Sequence, residues 1–255
     1  MAKKYPYDVL LAGIGVGGLE NTTISTMDLL RKARVVFSLS VHTSRLRGVC
    51  RNVVDLDDQY FTGESDNVVY TKLTRLVLQE AVKEGGVALV DDGHPLIYDD
   101  VCQAILGAAS RKRLRAIVLP AISSIDAMVA NLGVRFDPTG FQVVEANTLV
   151  ERRQRLNPEF ETLVMQLGWF GVSKLQDDIA SSPERFLSLQ KHLLRFYEAR
   201  HRVRILRAAL GAGDAESAMW CRLDRLHSYH ERIAVDATLY VPAIRNTVSR
   251  RGSTD

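Results

Sequence analysis

The chain has 255 residues and a mass of 28.5 kDa, enough for one large domain or two smaller ones with a buried core. Hydrophobic residues make up 46% of it, charged residues 25%, and the net charge is +3, which excludes a disordered chain and gives no argument for nucleic-acid binding. No apolar run approaches the roughly 20 residues of a membrane span, no secretory signal follows Met1, and the cysteines form no CxxC pair. We therefore expect a folded cytoplasmic protein without a membrane or nucleic-acid partner.

The first 120 residues alternate predicted strands with predicted helices. Short apolar runs predict strands, and segments with apolar residues at helical spacing predict helices. In chain order these are strand 7–12, helix 22–33, strands 34–39 and 52–56, helix 68–83, strand 87–90, helix 99–110 and strand 116–119. Such an alternation of buried strands and helices predicts an α/β fold with a mostly parallel sheet.

After Pro120 the pattern changes, and we predict helix 123–132, strand 141–146, a long helix over 183–210 and strand 237–241. The long helix carries an apolar stripe and a basic face, which we interpret as solvated surface. This organisation predicts an N-terminal α/β domain over 1–119, a C-terminal α/β domain over 120–246 and a flexible tail over 247–255.

A glycine-rich loop follows the first predicted strand. Its pattern Gly13-x-Gly15-x-x-Gly18 has the letters of the dinucleotide-binding fingerprint. NAD binding also requires an acidic residue at the end of the second strand, and no Asp or Glu occurs between Asp28 and Asp55. NAD binding and a simple tight turn both remain open at this point.

Two further patterns have the residue types of metal ligands. Asp91 and Asp92 form an acidic pair without an evident third ligand, and His227-x-x-His230 is typical of an exposed helical pair. We predict no metal site.

Five segments in order over residues 8–242 resemble the tetrapyrrole methylase superfamily. They are the glycine loop with the helix after it, the loop Asp92-Gly-His-Pro-Leu-Ile-Tyr98, the turn Leu119-Pro-Ala-Ile-Ser-Ser124, the strand Phe141–Ala146 and the segment Ala237-Thr-Leu-Tyr-Val-Pro242. The resemblance implies S-adenosylmethionine as cofactor, two α/β domains with the active cleft between them, and a homodimer.

The resemblance also implies the site residues. The cofactor-binding positions are Asp92, Gly93, His94, Pro95, Ile97, Ser123, Ser124, Ala146, Thr238 and Leu239. The glycine loop then lines the substrate side of the cleft, through Gly15, Val16 and Gly17, together with Asp66.

Within the superfamily, the His94 loop and residues 119–146 resemble the borosin peptide backbone N-methyltransferases. Aligned on those enzymes, Tyr60 and Tyr70 match two tyrosines that handle the amide, and we predict that both are catalytic. Asp57 stands where the borosin enzymes have another tyrosine, and Asp66 stands where they have an arginine. The match ends near the end of the methylase core, so we expect the substrate to be a separate peptide.

Three functions are consistent with this sequence. The first is methylation of a separate peptide or a natural-product intermediate, the second is C-methylation in tetrapyrrole biosynthesis, and the third is a catalytically silent SAM-binding partner protein. Asp57, Asp58 and Asp66 would make the substrate side acidic, which favours a neutral or cationic acceptor over a polycarboxylated tetrapyrrole.

Overall fold

The computed structural model describes residues 4–134, 140–176, 179, 181–208 and 218–245. The predicted tail lies outside these residues. The described residues belong to two compact units: the first contains 4–132, 172–176, 179 and 208, and the second contains the remainder. The helix after Pro120 clusters with the first unit. Among the described helices, none has the length and apolar character required to cross a membrane.

The first unit is built on a parallel five-stranded sheet in the order β3-β2-β4-β1-β5. The strands are β1 Val9–Gly13, β2 Val35–Ser38, β3 Val53–Asp55, β4 Val87–Asp91 and β5 Ala116–Leu119. β1 pairs with β4 on one side and with β5 on the other. Because helices cover both faces of such a sheet, β1 and β4 are apolar along nearly their whole length, as the sequence predicted.

Six helices accompany this sheet among the described residues: α1 Ile24–Lys32, α2 Thr43–Leu46, α3 Asp57–Tyr60, α4 Asp66–Glu84, α5 Asp100–Arg111 and α6 Ser124–Leu132. A 3-10 turn spans Gly18–Asn21. α4 packs against α5 and buries residues at helical spacing, among them Val69, Leu73 and Val77. It ends at Gly85, whose φ of 78° is a conformation that glycine adopts without strain.

The second unit is built on a mixed sheet in the order β6-β7-β10-β8-β9. Its strands are β6 Phe141–Glu145, β7 Glu161–Met165, β8 Arg202–Leu206, β9 Ala218–Arg222 and β10 Thr238–Val241. β6 and β7 are parallel, and the remaining pairs are antiparallel. α7 Ala146–Glu151, α8 Pro183–Leu193 and 3-10 segments at Leu167–Trp169 and Leu223–Arg232 complete the described part of this unit. The α/β class with parallel and mixed sheets is therefore confirmed.

The predicted long helix over 183–210 is wrong beyond its first third. α8 ends at Leu193, and Arg202–Leu206 forms strand β8. Along this strand Val203 and Ile205 are buried while Arg202 is exposed, which is the two-residue alternation of a strand with one covered face. Strands β7 and β9 were not predicted, and residues 209 and 210 of the predicted helix lie outside the described residues.

Candidate functional site

The candidate residues of the first unit collect at one edge of its sheet. In a parallel sheet all carboxyl ends of the strands lie at the same edge, which is where α/β proteins bind ligands. Gly15–Gly17 follow β1, Tyr60 follows β3, 92–97 follow β4, and Ser123 and Ser124 follow β5. The fold therefore brings to one edge the candidate residues that sequence analysis had placed in separate loops.

Three backbone amides of the glycine loop already donate hydrogen bonds to protein acceptors. The amide of Val16 donates to the carbonyl of Ile122 at 3.3 Å, the amide of Gly17 to Asn21 Oδ1 at 2.8 Å, and the amide of Gly18 to the carbonyl of Gly15 at 3.1 Å. A pyrophosphate cradle requires free amides at these positions. With the missing acidic residue, this geometry argues against NAD binding.

Two loops converge on Gly13 at the end of β1. A Cβ atom at Gly13 would lie 2.1 Å from the carbonyl oxygen of Gly93, 2.8 Å from Ala121 Cβ and 2.9 Å from Pro95 Cδ. Only glycine allows the loops after β4 and β5 to approach the end of β1 this closely. The predicted cofactor residues Gly93 and Pro95 are thus packed directly against the glycine loop.

The loop after β4 forms a turn stabilised by its own groups. The amide of Ile97 donates to the carbonyl of His94 at 3.1 Å, and the amide of Leu96 donates to His94 Nδ1 at 3.2 Å. Because Nδ1 accepts, the proton of the neutral imidazole is on Nε2, the atom not engaged in the turn. Tyr98, which follows, has a φ of 55°, a strained value for a residue with a side chain.

Asp92 binds protein groups on its own sheet. Its Oδ1 accepts from Ser40 Oγ at 2.5 Å and its Oδ2 accepts from the amide of Val41 at 3.1 Å. Burial raises the pKa of Asp92, while these donors act in the opposite direction. In this structure the side chain ties the loop after β2 to the loop after β4, and its role in cofactor binding stays a prediction.

Ser123 begins helix α6. Its amide and hydroxyl both donate to Asp126 Oδ2, at 2.8 and 2.6 Å, so that serine and aspartate cap the first turn reciprocally. These hydrogen bonds lower the pKa of Asp126. The Ser123 side chain is buried and occupied by this contact, whereas Ser124 is half-buried at the first position of the helix.

Tyr60 and Tyr70 meet at the same edge. Their ring centroids lie 6.3 Å apart with the planes tilted by 32°, and their hydroxyl groups are in hydrogen-bonding reach of each other. Burial raises the pKa of Tyr70 to about 12 and that of Tyr60 higher still, with nearby carboxyl groups adding to both. Both are therefore neutral phenols at neutral pH.

The loop between these tyrosines is held by a distant segment. The amide of Gly63 donates to the carbonyl of Leu175 at 2.7 Å, and the amide of Leu175 donates to the carbonyl of Glu64 at 3.1 Å. Leu175 is buried, so this pairing fixes the path of the chain from Tyr60 to α4.

Asp66 and Tyr70 lie one helical turn apart and line the same groove. This groove runs along α4 and α5, has a volume of about 1190 Å³ and is also lined by Asp100. The first turns of α4 and α5 are thus acidic where the groove reaches Tyr70.

The remaining predicted cofactor residues lie in the second unit, on β10 and after β6, the two strands on either side of β7. Ala146 opens α7 directly after β6, and the side chain of Glu145 caps that helix by accepting from the amides of Asn147 and Thr148. Thr238 begins β10, and its hydroxyl lies 3.8 Å from the sulfur of Met165, the residue that pairs with Glu145. Leu239 is fully buried and pairs with Val164.

Sequence analysis missed one participant at this edge. Asp99 caps α5, its Oδ1 accepting from the amide of Cys102 at 2.8 Å, and its side chain is in hydrogen-bonding reach of Asp91. Asp91 had been considered only as half of a metal pair with Asp92. The sequence contained two signals for this pair: Asp91 directly follows a predicted buried strand, and Asp99 stands at the start of a predicted helix.

The two histidines with metal-ligand spacing contact protein groups. His227 Nδ1 lies 2.8 Å from Gln190 Oε1, and His230 Nδ1 lies 3.0 Å from Ser181 Oγ. Within the described ranges, no group of three or more His, Cys, Asp or Glu side chains is arranged to hold a metal ion.

Comparison with known proteins links this geometry to named relatives. Residues 8–213 match the family model of the tetrapyrrole (corrin/porphyrin) methylases. A methyltransferase and type I borosin cyclic peptide precursor of Mycena rosella is 27% identical over 70% of this chain and 46% of its own length. The methyltransferase and lentinulin A precursor of Lentinula edodes is 24% identical over 91% of this chain and 57% of its own length. This chain thus spans about half the length of these curated relatives.

Among solved structures, the uroporphyrin-III C-methyltransferase of Thermus thermophilus in complex with S-adenosylhomocysteine aligns with a TM-score of 0.62. Its sequence is 20% identical, and the alignment covers 91% of this chain and 96% of that one. This similarity shows the fold. The family model covers most of the chain, so the chain belongs to the tetrapyrrole (corrin/porphyrin) methylases, a family of S-adenosylmethionine-dependent methyltransferases.

Proposed function

We propose that this enzyme methylates a backbone amide of a peptide. The observation that carries the proposal is the close pair Tyr60 and Tyr70, whose rings lie 6.3 Å apart. In the sequence resemblance these two residues match two tyrosines of the borosin enzymes. The names of the curated relatives, which join a methyltransferase to a peptide precursor, support the same substrate class.

The residues at the sheet edge fit S-adenosylmethionine. The amides of the glycine loop already donate within the protein, so the edge offers no anion cradle, and this cofactor carries no phosphate. Asp126, which its hydrogen bonds keep ionised, places a negative charge near the His94 turn and complements a sulfonium. Backbone groups of the turn, with His94, Ile97 and Ser124, would hold the cofactor. The cofactor roles of Ala146, Thr238 and Leu239 in the second unit are predictions from the family resemblance. When bound, the cofactor supplies an electrophilic methyl group.

The tyrosines perform positioning and proton handling. A neutral phenol donates one hydrogen bond and accepts others, so the hydroxyl nearer the acceptor amide can accept from its N–H group while donating to the hydroxyl of the other tyrosine. The nitrogen must also be held about 3 Å from the methyl carbon, in line with the sulfur, and fixed ring positions supply this orientation. The packing of Tyr60 against Phe61, with centroids 5.0 Å apart, limits the freedom of that ring.

The acidic end of the groove selects the charge of the peptide. Asp66 and Asp100 line the groove beside Tyr70. Carboxylates attract neutral or cationic segments and repel acidic ones, an effect that salt weakens. We infer that residues flanking the methylated amide are neutral or basic.

The first test is calorimetric titration with S-adenosylhomocysteine, with NAD as the matched control ligand. Micromolar binding of the former and no binding of the latter are expected. Binding of NAD alone would indicate that the glycine loop binds a dinucleotide. Binding of neither ligand would contradict the proposed cofactor site.

The second test offers S-adenosylmethionine with two synthetic peptides that differ only in lysine or glutamate beside the central residues. Tandem mass spectrometry locates the methyl group, and we expect it on a backbone nitrogen of the lysine peptide. Tyr70→Phe should lower turnover by about 10²-fold, the scale of proton-transfer catalysis, whereas Tyr229→Phe in the second unit should not. Porphyrinogen turnover instead would identify a tetrapyrrole enzyme, and cofactor binding without any turnover would identify a silent partner protein.

The family resemblance also leads us to propose a cytoplasmic homodimer. Light scattering coupled to size-exclusion chromatography tests the dimer through the mass in solution, and a mass of 28.5 kDa would contradict it.

A further inference from the structure

A pair of carboxyl groups lies beside the tyrosines, at the end of β4 and the start of α5. Asp91 Oδ1 accepts from the amide of Asp92 at 2.7 Å, and Asp99 Oδ1 accepts from the amide of Cys102 at 2.8 Å. The two side chains are in hydrogen-bonding reach of each other. Two buried carboxyl groups within hydrogen-bonding reach of each other do not both ionise, as in the paired aspartates of acid proteases.

One oxygen of this pair lacks a donor. Asp99 Oδ2 is buried and has no hydrogen-bond partner among the described residues. Its neighbour Asp91 is another carboxyl group, which can donate only when it carries a proton. A single proton held between Asp91 and Asp99 would therefore supply the missing hydrogen bond, and an unpaired buried acceptor would otherwise cost about 1–3 kcal/mol.

Among the described residues, no cation is found in the groups that act most strongly on the pair. The titratable groups that face it are Asp92 on the same loop, Asp100 and Cys102 on α5, Tyr60 on α3, and Tyr70 on α4. Burial and mutual repulsion raise the pKa of the pair, and burial raises the pKa of Cys102 as well. Asp66, at the start of α4, adds a further negative charge near Tyr70.

We propose that Asp91 and Asp99 share one proton and that this pair receives the proton lost by the acceptor nitrogen, through the hydroxyl groups of Tyr60 and Tyr70. The inference rests on the proposed function, because an amide nitrogen is too weak a nucleophile to be methylated while it keeps its proton. Asp91 and Asp99 are positioning residues in this scheme, since they act through the tyrosines.

The step balances. The acceptor nitrogen forms its bond to the methyl carbon as the bond from that carbon to sulfur breaks, and the electron pair of that bond stays on sulfur. The proton of the nitrogen passes to one phenolic oxygen, the proton of that hydroxyl moves to the second phenolic oxygen, and the proton of the second hydroxyl moves to the neighbouring carboxyl pair. The pair changes from one proton to two and from a charge of −1 to zero, and both phenols remain neutral. Solvent takes the extra proton after product release.

The test uses Asp99→Asn, with Asp91→Asn as a second variant. Asparagine also caps helices, so the hydrogen bond from the amide of Cys102 is kept while the shared proton is lost. Asp58→Asn, which changes an exposed carboxyl on α3, is the matched control.

The first readout needs neither cofactor nor peptide. A carboxyl pair with a raised pKa binds more protons in the folded than in the unfolded state, so its contribution to stability is lost as pH rises from the unfolded value of about 4 through the raised value. The melting temperature of the wild type should therefore fall over this range relative to Asp99→Asn, whereas Asp58→Asn should follow the wild type. Identical pH profiles of wild type and both pair variants would overturn the shared proton.

The second readout is the pH profile of peptide methylation. Asp99→Asn should lower kcat by about 10²-fold, remove the acidic limb of the profile and leave the affinity for S-adenosylhomocysteine within twofold. A wild-type kcat with a wild-type pH profile would refute the relay even if the shared proton were present. If the wild-type enzyme methylates no peptide, the proposed function and the relay fail together, and the unfolding profiles still decide whether the proton is shared.

Discussion

The close packing around Gly13 makes the single change Gly13→Ala informative. The added Cβ would lie 2.1 Å from the carbonyl oxygen of Gly93, whereas ordinary contacts begin at 3.4 Å. The new Cβ atom cannot shift aside, because Pro95 Cδ and Ala121 Cβ also lie within 2.9 and 2.8 Å of it. The loop after β4 must therefore move away from β1 by about 1 Å. Overpacking of this kind costs about 1–3 kcal/mol.

Two measurements test this change. Urea unfolding should show the loss of stability, and calorimetry should show at least a tenfold weaker affinity for S-adenosylhomocysteine, since a shift of about 1 Å in a positioning loop costs up to 10²-fold in function. The matched control is Gly107→Ala inside α5, where the nearest atom is 3.6 Å away and stability should rise by about 0.5–1 kcal/mol. Wild-type stability and affinity of Gly13→Ala would refute the view that the loop after β4 both packs on Gly13 and holds the cofactor.

Three further changes test the packing and capping of both units. Tyr240→Phe removes the donor that lies 2.6 Å from Glu161 Oε2 in the second unit, and urea unfolding should show a loss of about 1–3 kcal/mol, with no loss indicating that water replaces the hydroxyl. Phe186→Ala empties a fully buried position, so the same assay should give a loss of about 3–5 kcal/mol, and a loss below about 1 kcal/mol would contradict the core contact. Ser123→Ala removes the donor that lowers the pKa of Asp126. A carboxyl group with a lowered pKa stabilises the folded state above the unfolded pKa of about 4, and this stabilisation is lost as the pH falls. The free energy of unfolding of the variant should therefore be lower than that of the wild type at neutral pH and equal to it in acid. Equal differences at both pH values would show that the hydroxyl acts only through packing.

The sequence predicted the positions of the site better than its contacts. Motifs after β1, β4 and β5 identified the loops that meet at Gly13, because loops at the carboxyl ends of parallel strands must share an edge. The sequence did not predict that Asp92 accepts hydrogen bonds from Ser40 and Val41. The partner of a polar side chain depends on which strands become neighbours in the sheet. The order of strands in the sheet has no short-range signal.

The long helix predicted after Pro183 failed for a related reason. Apolar residues at helical spacing continue past Leu193, yet Val203 and Ile205 are buried on one face of β8, between β10 and β9. A short segment whose apolar residues fit both periods is decided by its tertiary partners. The neighbouring strand β9 was not predicted either.

The sequence by itself determined the α/β class, the family and the loops that carry the candidate site, because these depend on local patterns of burial and on short motifs. Only the tertiary structure decided that Tyr60 meets Tyr70 and that Asp91 meets Asp99. The first contact depends on Leu175, more than a hundred residues further along, whose backbone holds the loop between the tyrosines. The second depends on the packing that brings the end of β4 to the start of α5, where burial and mutual repulsion raise the pKa of the carboxyl pair.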